Sequence, residues 1–433
     1  MVKFKNLIFL SLFTGLFISS LFEFISDVSF QYKIGKEDFK IKTSGLDDSW
    51  NIYLENFGLD MIIDLNNCIY VMESEHYYCG FGCRYHGDVI IVKYNNSGDQ
   101  IWRIDLDGFI VEYSRIAVDS ESNLYLASMF ENQTLDENMI LLKFNSSGDL
   151  QWQQTWNGGD SGDVIDIAID SDDRIYVYGT SDLAEAFDFD LFIVKYNSSG
   201  DQQWFRVYEE LGGDYKGWDM EIDSDSNLIV SGYSFLIENE TVNHYHWLRC
   251  YNQSGDLKWE ILSDDGGFYT LAIDSLNNIF SFSYSGIMKY DTLGNLLWKW
   301  NNNREIWWQF SLTFDSFDNL YAGTSISIPE DHHTNDLYVI KLSNSGNFEW
   351  YLTWGGSDNE YLRDICIDSN NSIYLLSDNF LIKNPENNGK PLTNIKLWNL
   401  YMILFGVCIF ISAISLYLIL KHRTPKNLRT EIK

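Results

Sequence analysis

The 433-residue sequence predicts an all-β fold, a β-propeller of seven four-stranded blades, and three observations predict it. The motif FIVKYNSSGDQQW, at residues 192–204, recurs along the chain. A second motif, IAIDSDDRIYVYG at residues 167–179, alternates with it. The repeat length is roughly 50 residues, too short for a unit to bury a core alone, so neighbouring units must pack on one another.

Each unit is expected to form four short strands. Its apolar residues are mainly β-branched or aromatic and alternate with polar ones, and Asn, Asp, Ser and Gly separate the runs. The first motif ends in a tryptophan, at Trp50, Trp102, Trp152, Trp204, Trp259, Trp298 and Trp350. The second contains an aspartate, at Asp64, Asp119, Asp170, Asp223, Asp274, Asp315 and Asp368. We predict structural roles for both sets, because a catalytic residue would be single.

The order of the motifs indicates how the ring closes. The last unit has no tryptophan strand of its own, and the first tryptophan strand, at Trp50, precedes the first complete unit. We expect the Trp50 strand to complete the last blade, which leaves no open sheet edge.

The repeat also resembles a known family. The pattern D-x-F-I-V-K-Y-N-x-S-G-D-x-x-W, then G-G and I-A-I-D-S-x-x-N-I-Y-V-x-G-x-T, is similar to the SBBP-type β-propeller repeat. Residues 190–204 and 158–180 match it best. The resemblance implies the propeller fold over residues 39–385, and it implies little about function because propellers support binding, scaffolding and catalysis alike.

Two apolar segments flank the predicted propeller. Lys3 and Lys5 precede an apolar run, so residues 1–24 are predicted as a signal peptide or signal anchor, although no A-x-A cleavage pattern is present. After a linker at 386–396, residues 397–420 carry no charge and would span roughly 36 Å as a transmembrane helix. Residues 421–433 form a short basic tail, which the excess of Lys and Arg places in the cytoplasm. The propeller is therefore expected outside the cell, anchored in the cell membrane.

Charge limits the possible partners. The formal net charge is −32 at pH 7, so the chain lacks the basic surface that nucleic acids require. The acidic surface is expected either to be solvated or to attract cations and basic partners.

The repeat assigns different roles to the two faces of the propeller. If the I-A-I-D strand is innermost, the D-S-x-x-N and N-x-S-G-D turns, nearly constant in length, share one face. The connections of variable length lie on the other face, and they are acidic and aromatic, as around Glu209 to Trp218. We predict a binding surface there for a protein or glycan partner. The strand at 380–383 exits on the constant-turn face, so the variable-loop face should point away from the cell.

One loop holds a candidate for metal or disulfide chemistry. His76, Cys79, Cys83 and His86 have ligand types and spacing that would suit zinc. Outside the cell, Cys79 and Cys83 are instead expected to oxidise to a disulfide. A third alternative is that the loop forms neither a zinc site nor a disulfide. Cys68, Cys250 and Cys366 fall in predicted strands and are expected to be buried small hydrophobes.

Other polar patterns are interpreted as turn chemistry. Asp223, Asp225 and Asn227 have the spacing of a calcium loop but lack its glycine and distal acid. Histidines at 244, 246, 332 and 333 have no identifiable nucleophile. No cofactor is predicted, although binding of calcium or zinc is left open.

Candidate glycosylation sites are Asn95, Asn132, Asn145, Asn197, Asn239, Asn252 and Asn370.

The sequence thus favours a membrane-anchored binding, adhesion or scaffold module over an enzyme. The alternative is an extracellular carbohydrate-active enzyme, a lyase or a hydrolase, on the same scaffold. No catalytic residue is identified.

Overall fold

The computed structural model describes residues 49–74, 86–131, 137–156, 162–181, 190–208, 213–238, 241–263, 266–301, 310–327, 335–355 and 358–385. All of them belong to the second of two units into which the chain divides, Lys40–Lys433. The first unit, Met1–Phe39, lies outside the described residues.

The described residues form a seven-bladed β-propeller with four strands in each blade, which confirms the predicted fold class. Strand β1 (Trp50–Tyr53) comes first in the chain and belongs to the last blade. Blade 1 contains β2 (Phe57–Ile63), β3 (Ile69–Ser74), β4 (His86–Tyr94) and the first part of β5 (Gln100–Val118). Blade 2 contains the rest of β5 with β6 (Leu124–Glu131), β7 (Glu137–Phe144) and β8 (Leu150–Trp156). Blade 3 contains β9 (Gly162–Ile169), β10 (Ile175–Ser181), β11 (Asp190–Tyr196) and β12 (Gln202–Tyr208).

The remaining four blades follow the same order. Blade 4 contains β13 (Gly213–Ile222), β14 (Leu228–Glu238), β15 (Thr241–Tyr251) and β16 (Leu257–Ser263). Blade 5 contains β17 (Thr270–Ile273), β18 (Ile279–Ser283), β19 (Gly286–Tyr290) and β20 (Leu296–Trp300). Blade 6 contains β21 (Ser311–Phe314), β22 (Leu320–Ser327), β23 (Asn335–Leu342) and β24 (Phe348–Trp354). Blade 7 contains β25 (Leu362–Ile367), β26 (Ser372–Ser377) and β27 (Phe380–Pro385), and β1 completes it.

Closure of the ring occurs as predicted. β1 pairs antiparallel with β27, with Trp50 opposite Lys383 and Tyr53 opposite Phe380. The first and last described strands therefore share one sheet, and the chain enters and leaves the propeller on the same face. This pairing removes the two edges that an unclosed repeat would expose.

The strand of the second motif is innermost in every blade. β2, the end of β5, β9, β13, β17, β21 and β25 contact one another around the central channel. Each is followed by a D-S-x-x-N turn. The fourth residue of this turn, three after the repeated aspartate, adopts a left-handed conformation, with φ between 57° and 64° in all seven copies. These turns and the N-x-S-G-D turns lie on one face, which we call the constant-turn face. Most connections on the opposite, variable-loop face lie outside the described residues.

The repeated tryptophans join each blade to the next. Trp50 Nε1 donates to Asn96 O at 3.1 Å, and Trp102 Nε1 donates to Ser146 O at 3.1 Å. Six of the seven indoles, all but that of Trp350, also lie against the glycine of such a turn. A Cβ added to Gly98, where φ is +76°, would lie 3.0 Å from the Trp50 ring. The tryptophan and the S-G-D turn therefore recur together because each turn receives the tryptophan of the preceding blade.

Two elements differ from the expected connections. β5 runs without interruption from the outer strand of blade 1 to the inner strand of blade 2, with a register shift between Ile110 and Arg115. Four other joints carry Gly-Gly, beginning at Gly158, Gly212, Gly266 and Gly355, whereas this one alternates apolar and polar residues with a single Gly108. In blade 4, residues 235–246, whose position in the repeat corresponds to a connection of variable length, instead extend a hairpin, because β14 continues to Glu238 and β15 begins at Thr241.

No helix in the described ranges is long and apolar enough to cross a membrane. The predicted signal segment at 1–24, the linker, the transmembrane helix at 397–420 and the basic tail lie outside the described residues.

Candidate functional site

The repeated aspartates are held in a fixed network on the constant-turn face. Asp119 Oδ1 accepts the backbone N–H groups of Glu121 and Asn123 at 3.0 and 2.8 Å. Its Oδ2 accepts the Tyr125 hydroxyl at 3.0 Å and lies 3.3 Å from Lys143 Nζ. Burial raises the pKa of Asp119, but the hydrogen bonds from Asn123 and Tyr125 and the charge of Lys143 outweigh it and lower the pKa below its usual value.

The calcium-like triplet in blade 4 belongs to the same network. Asp223 Oδ1 accepts the backbone N–H groups of Asp225 and Asn227 at 2.9 and 2.8 Å, and its Oδ2 accepts Asn227 Nδ2 at 2.7 Å. These are the hydrogen bonds of an Asx turn. In the part of the chain that the structure describes, no group of three His, Cys, Asp or Glu residues has a geometry suited to a metal ion.

Four of the candidate glycosylation sites have the same turn role. Asn95 Oδ1 accepts the backbone N–H groups of Ser97 and Asp99, and its Nδ2 donates to the Asp99 carboxylate at 3.2 Å. The matching Nδ2 bonds occur at Asn145, Asn197 and Asn252. Asn370 lies in the D-S-x-x-N turn of blade 7, while Asn132 and Asn239 lie outside the described residues.

A ring of side chains surrounds the central channel, four positions before each repeated aspartate. We call it the channel ring, and it consists of Asp60, Arg115, Asp166, Asp219, Thr270, Ser311 and Asp364. Its aspartates connect neighbouring inner strands. Asp60 accepts the Ile116 N–H at 3.0 Å, Asp166 accepts the Met220 N–H at 3.0 Å, and Asp219 accepts the Leu271 N–H at 2.6 Å.

Three carboxyl groups of this ring, those of Asp60, Asp166 and Asp364, have raised pKa values and so favour their neutral forms. Burial, followed by the neighbouring Asp219 carboxyl that hydrogen-bonds to it, raises the pKa of Asp166 well above its usual value. Burial and then Asp60 raise the pKa of Asp364 to about 7. Glu221, two residues after Asp219, has its pKa raised to about 8 by burial and by Asp219. Arg115 opposes this effect at Asp60 and Asp166.

Three aromatic residues lie one position closer to the variable-loop face than the channel ring. Trp218, Tyr269 and Phe310 occupy equivalent positions in blades 4, 5 and 6, and we call them the aromatic row. The centroids of Trp218 and Tyr269 are 5.0 Å apart, and those of Tyr269 and Phe310 are 5.5 Å apart and nearly parallel at 19°. All three side chains are half-buried, and the Trp218 and Tyr269 rings meet at 73°, so the three form a continuous but stepped apolar platform beside the channel.

The platform is extended by polar aromatic groups. Tyr233 stacks on Trp218 with centroids 5.3 Å apart, and His246 contacts Tyr233 and Tyr269. Trp218 Nε1 and His246 Nδ1 are shielded from solvent and have no hydrogen-bond partner among the described residues. Burial, and to a lesser extent His244, lower the pKa of His246, which favours the neutral imidazole.

The other candidate residues are placed as follows. His76, Cys79 and Cys83 lie outside the described residues, and His86 is the first residue of β4. His244 and His246 are in strand β15, not in a loop, while 332 and 333 are not described.

The three strand cysteines differ in burial. Cys250 is buried as expected, but Cys68 and Cys366 are only partly buried. Cys366 belongs to the inner strand β25 and packs against the apolar core between blades 7 and 1, where its thiol donates to Met61 O at 3.4 Å. The prediction of buried small hydrophobes is therefore confirmed for Cys250 and met in part for Cys68 and Cys366, which pack against core clusters without being fully buried.

Sequence reasoning missed both the channel ring and the aromatic row. A signal for the ring is visible, because Asp60, Asp166, Asp219 and Asp364 each precede a repeated aspartate by four residues. For the row, the sequence places Trp218, together with Tyr215, in a connection of variable length. Both residues lie in β13, and Tyr215 is fully buried.

Comparisons with known proteins concern the fold alone. No protein-family profile matches the chain, and no curated protein is similar to it in sequence. The structure of the Dos1 propeller is 8% identical with a TM-score of 0.49, over 77% of this chain and 93% of that chain. The WD40 β-propeller domain of Doa1 is 12% identical with a TM-score of 0.47, over 77% and 95%. A polysaccharide lyase, an ulvan lyase, is 11% identical with a TM-score of 0.47, over 76% and 94%. At these values the matches carry no argument about function, and the fold rests on the strand topology described above.

Proposed function

We propose that this propeller is a membrane-anchored cell-surface binding module that takes a glycan on its variable-loop face. The aromatic row carries the proposal. Three half-buried aromatic side chains, with Tyr269 in contact with both Trp218 and Phe310, stand at equivalent positions in consecutive blades, on the side of the channel that faces the variable loops. Concave sites that combine aromatic surface with a few directed polar groups are typical ligand sites.

The chemistry of the row fits a saccharide. A sugar ring has an apolar C–H face that stacks on an aromatic ring, and hydroxyl groups at its edge that need hydrogen-bond partners. Trp218 Nε1 and His246 Nδ1 are the two nitrogens beside the row that have no partner among the described residues. The rings touch one another, so they form a platform and not a cage that would enclose a cation.

Charge favours neutral or amino sugars over uronic or sulfated ones. Burial raises the pKa values of Asp60, Asp166 and Asp364 in the neighbouring channel ring and lowers the pKa of His246, so all four groups favour their neutral forms. An anionic saccharide would therefore lose water beside groups that favour their neutral forms, and Arg363, at the corresponding position of blade 7, is already paired with Asp378.

The anchoring part of the proposal rests on the sequence. The apolar segment at 397–420, the basic tail and the N-terminal signal segment support attachment to the cell membrane with the propeller outside. The exit of β27 on the constant-turn face is consistent with this orientation. We also propose that the repeats are of the SBBP type, on the motif that they share with that family.

The carbohydrate-active enzyme is the second candidate, and the raised pKa values in the channel are what favours it. The hydrogen bonds argue for a structural role of these acids instead. Asp60, Asp166 and Asp219 each use their oxygens to accept backbone N–H groups of two neighbouring inner strands. A carboxyl engaged in this way is less available to donate a proton to a glycosidic oxygen.

The test is binding of the full chain, in detergent micelles, to an array of neutral, amino and anionic oligosaccharides. The tightest neutral or amino oligosaccharide is then titrated by calorimetry. Tyr269→Ala is expected to weaken its binding roughly ten-fold or more, because it removes the centre of the platform. Tyr351→Ala is the matched control, since Tyr351 is a partly exposed tyrosine on the outer strand of blade 6, and it should bind as the native protein does.

Three results would contradict the proposal. One is the absence of binding to every saccharide, and another is equal binding by the two variants. The third is shortening of the oligosaccharide during the titration, detected by chromatography, which would favour the enzyme.

A further inference from the structure

The turn tips on the constant-turn face are chemically different in different blades. The third residue of the D-S-x-x-N turn, in the order of blades 1 to 7, is Asn66, Glu121, Asp172, Asp225, Leu276, Phe317 and Asn370. The tips are thus acidic in blades 2 to 4 and apolar in blades 5 and 6. All seven turns have the same backbone conformation, so the difference does not arise from the fold of the turn.

The apolar tips are freely exposed. Leu276 and Phe317 are 71% and 75% exposed. Leu293 is 72% exposed and stands in the second constant turn of blade 5, where five other blades have Ser97, Ser147, Ser199, Ser254 and Ser345. Leu65 in blade 1 is 78% exposed, at a position that is serine in the other six D-S-x-x-N turns. We call these four residues the apolar tips.

The apolar tips flank the place where the chain leaves the propeller. The D-S-x-x-N turns of blades 5 and 6 are tied together, because Ser275 donates through its N–H and its hydroxyl to Asp318 at 3.2 and 2.6 Å. Blade 7 follows blade 6, and blade 1 comes next around the ring. β27 of blade 7 ends at Pro385 on this same face, so apolar tips stand on both sides of the exit.

We propose that the apolar tips insert into the headgroup region of the bilayer that holds the chain, so that the propeller rests on the membrane through blades 5, 6 and 1. The inference rests on the proposed membrane anchor. The linker at 386–396 has 11 residues and reaches at most roughly 40 Å, so the constant-turn face cannot move far from the bilayer. A tethered face samples the surface at high effective concentration, and a few apolar side chains are enough to bias its orientation.

The charge distribution supports the same orientation. Glu121, Asp172 and Asp225 lie on the opposite side of the face, where an anionic lipid surface would repel them. Other exposed apolar residues near this face, such as Ile101, Leu150 and Leu257 at the starts of outer strands, are distributed around the ring. These residues would therefore not favour contact of one side of the constant-turn face with the membrane, whereas the apolar tips would.

The test uses the full chain in phosphatidylcholine vesicles that contain a minor fraction of a lipid with a photoactivatable diazirine. After irradiation, lipid adducts are located by peptide mass spectrometry. We expect the turns at 274–278, 291–295 and 315–319 to carry roughly ten-fold more adduct than the corresponding turns of blades 2 to 4. The variant Leu276→Asn, Leu293→Ser, Phe317→Asn should lose that excess, because these residues are native at the same positions in other blades.

A matched variant, Glu121→Asn, Asp172→Asn, Asp225→Asn, changes three tips on the other side and should keep the labelling of blades 5 and 6. Equal labelling of all blades would overturn the inference, as would labelling confined to residues 386–433. Crosslinks between two copies through these turns would also overturn it, in favour of a protein contact. A chain that an alkaline wash removes from the vesicles would overturn the membrane anchor as well, which separates the two failures.

Discussion

Glu221 shows how the channel environment acts on a single residue. It lies on an inner strand next to the channel ring, and burial and the Asp219 carboxyl raise its pKa to about 8. In the unfolded chain a glutamate titrates near 4.3. The folded protein therefore holds a proton that the unfolded chain has lost between these two values, and the contribution of Glu221 to stability falls as pH rises from about 4 to about 8.

We predict that Glu221→Gln removes the decrease in stability that Glu221 causes at higher pH, because the glutamine side chain resembles the neutral acid and does not ionise. The variant should match the native protein near pH 4 and be the more stable of the two at pH 8 to 9, measured by denaturant unfolding across that range. A Glu221→Gln difference that is the same at both ends of the range would refute the assignment.

The repeated residues could be predicted from the sequence, whereas the aromatic row could not. Trp50 and Asp64 belong to sets of seven, and repetition alone indicates that they are structural. The aromatic row has no such signal, because its positions hold leucine, serine, isoleucine and arginine in the other blades. Its members are more than 40 residues apart in the chain, and only the packing of inner strands around the channel brings Trp218, Tyr269 and Phe310 together.

At the scale of elements, the joint between blades combines a strand of one blade with a turn of the next. The sequence predicted both elements but not their contact, because the Trp and the Gly that meet belong to different repeats. β5 and the blade 4 hairpin were less predictable. Whether a strand continues through a joint depends on how far its neighbours extend, and this is a tertiary property.

The joint between blades 7 and 1 can be tested at one glycine. Gly98→Ala adds a methyl group 3.0 Å from the Trp50 ring in a backbone conformation of φ +76° that disfavours alanine. We expect a loss of about 1–2 kcal/mol in the free energy of unfolding. Thermal unfolding monitored by circular dichroism measures it.

Ser97→Ala is the control for Gly98→Ala, since Ser97 is exposed in the same turn and only its backbone N–H is bonded to Asn95. It should unfold at the native temperature. Equal melting temperatures for the native protein and Gly98→Ala would show that the turn does not support the indole.

For the whole molecule, the fold depends on β1 as the fourth strand of blade 7. Deletion of residues 1–53 removes it and exposes the edge of β27, whereas deletion of residues 1–48 leaves the described propeller complete. We predict that the longer deletion forms multimers and unfolds at a lower temperature, because an unpaired strand edge recruits other chains. Size-exclusion chromatography with light scattering compares the two, and two equally monodisperse proteins would count against the role of β1.

The pairing of β1 with β27 determines when the propeller can close during its synthesis. β1 is among the first segments of the propeller to leave the ribosome, and β27 is the last. At about 5–20 residues per second, the interval between them is on the order of half a minute. During that interval the early blades can fold in sequence, but β1 stays without its partner, and blade 7 can assemble only after the ribosome has made the whole propeller. Ring closure is therefore the last folding event, and it must outpace the capture of the waiting strand by another chain.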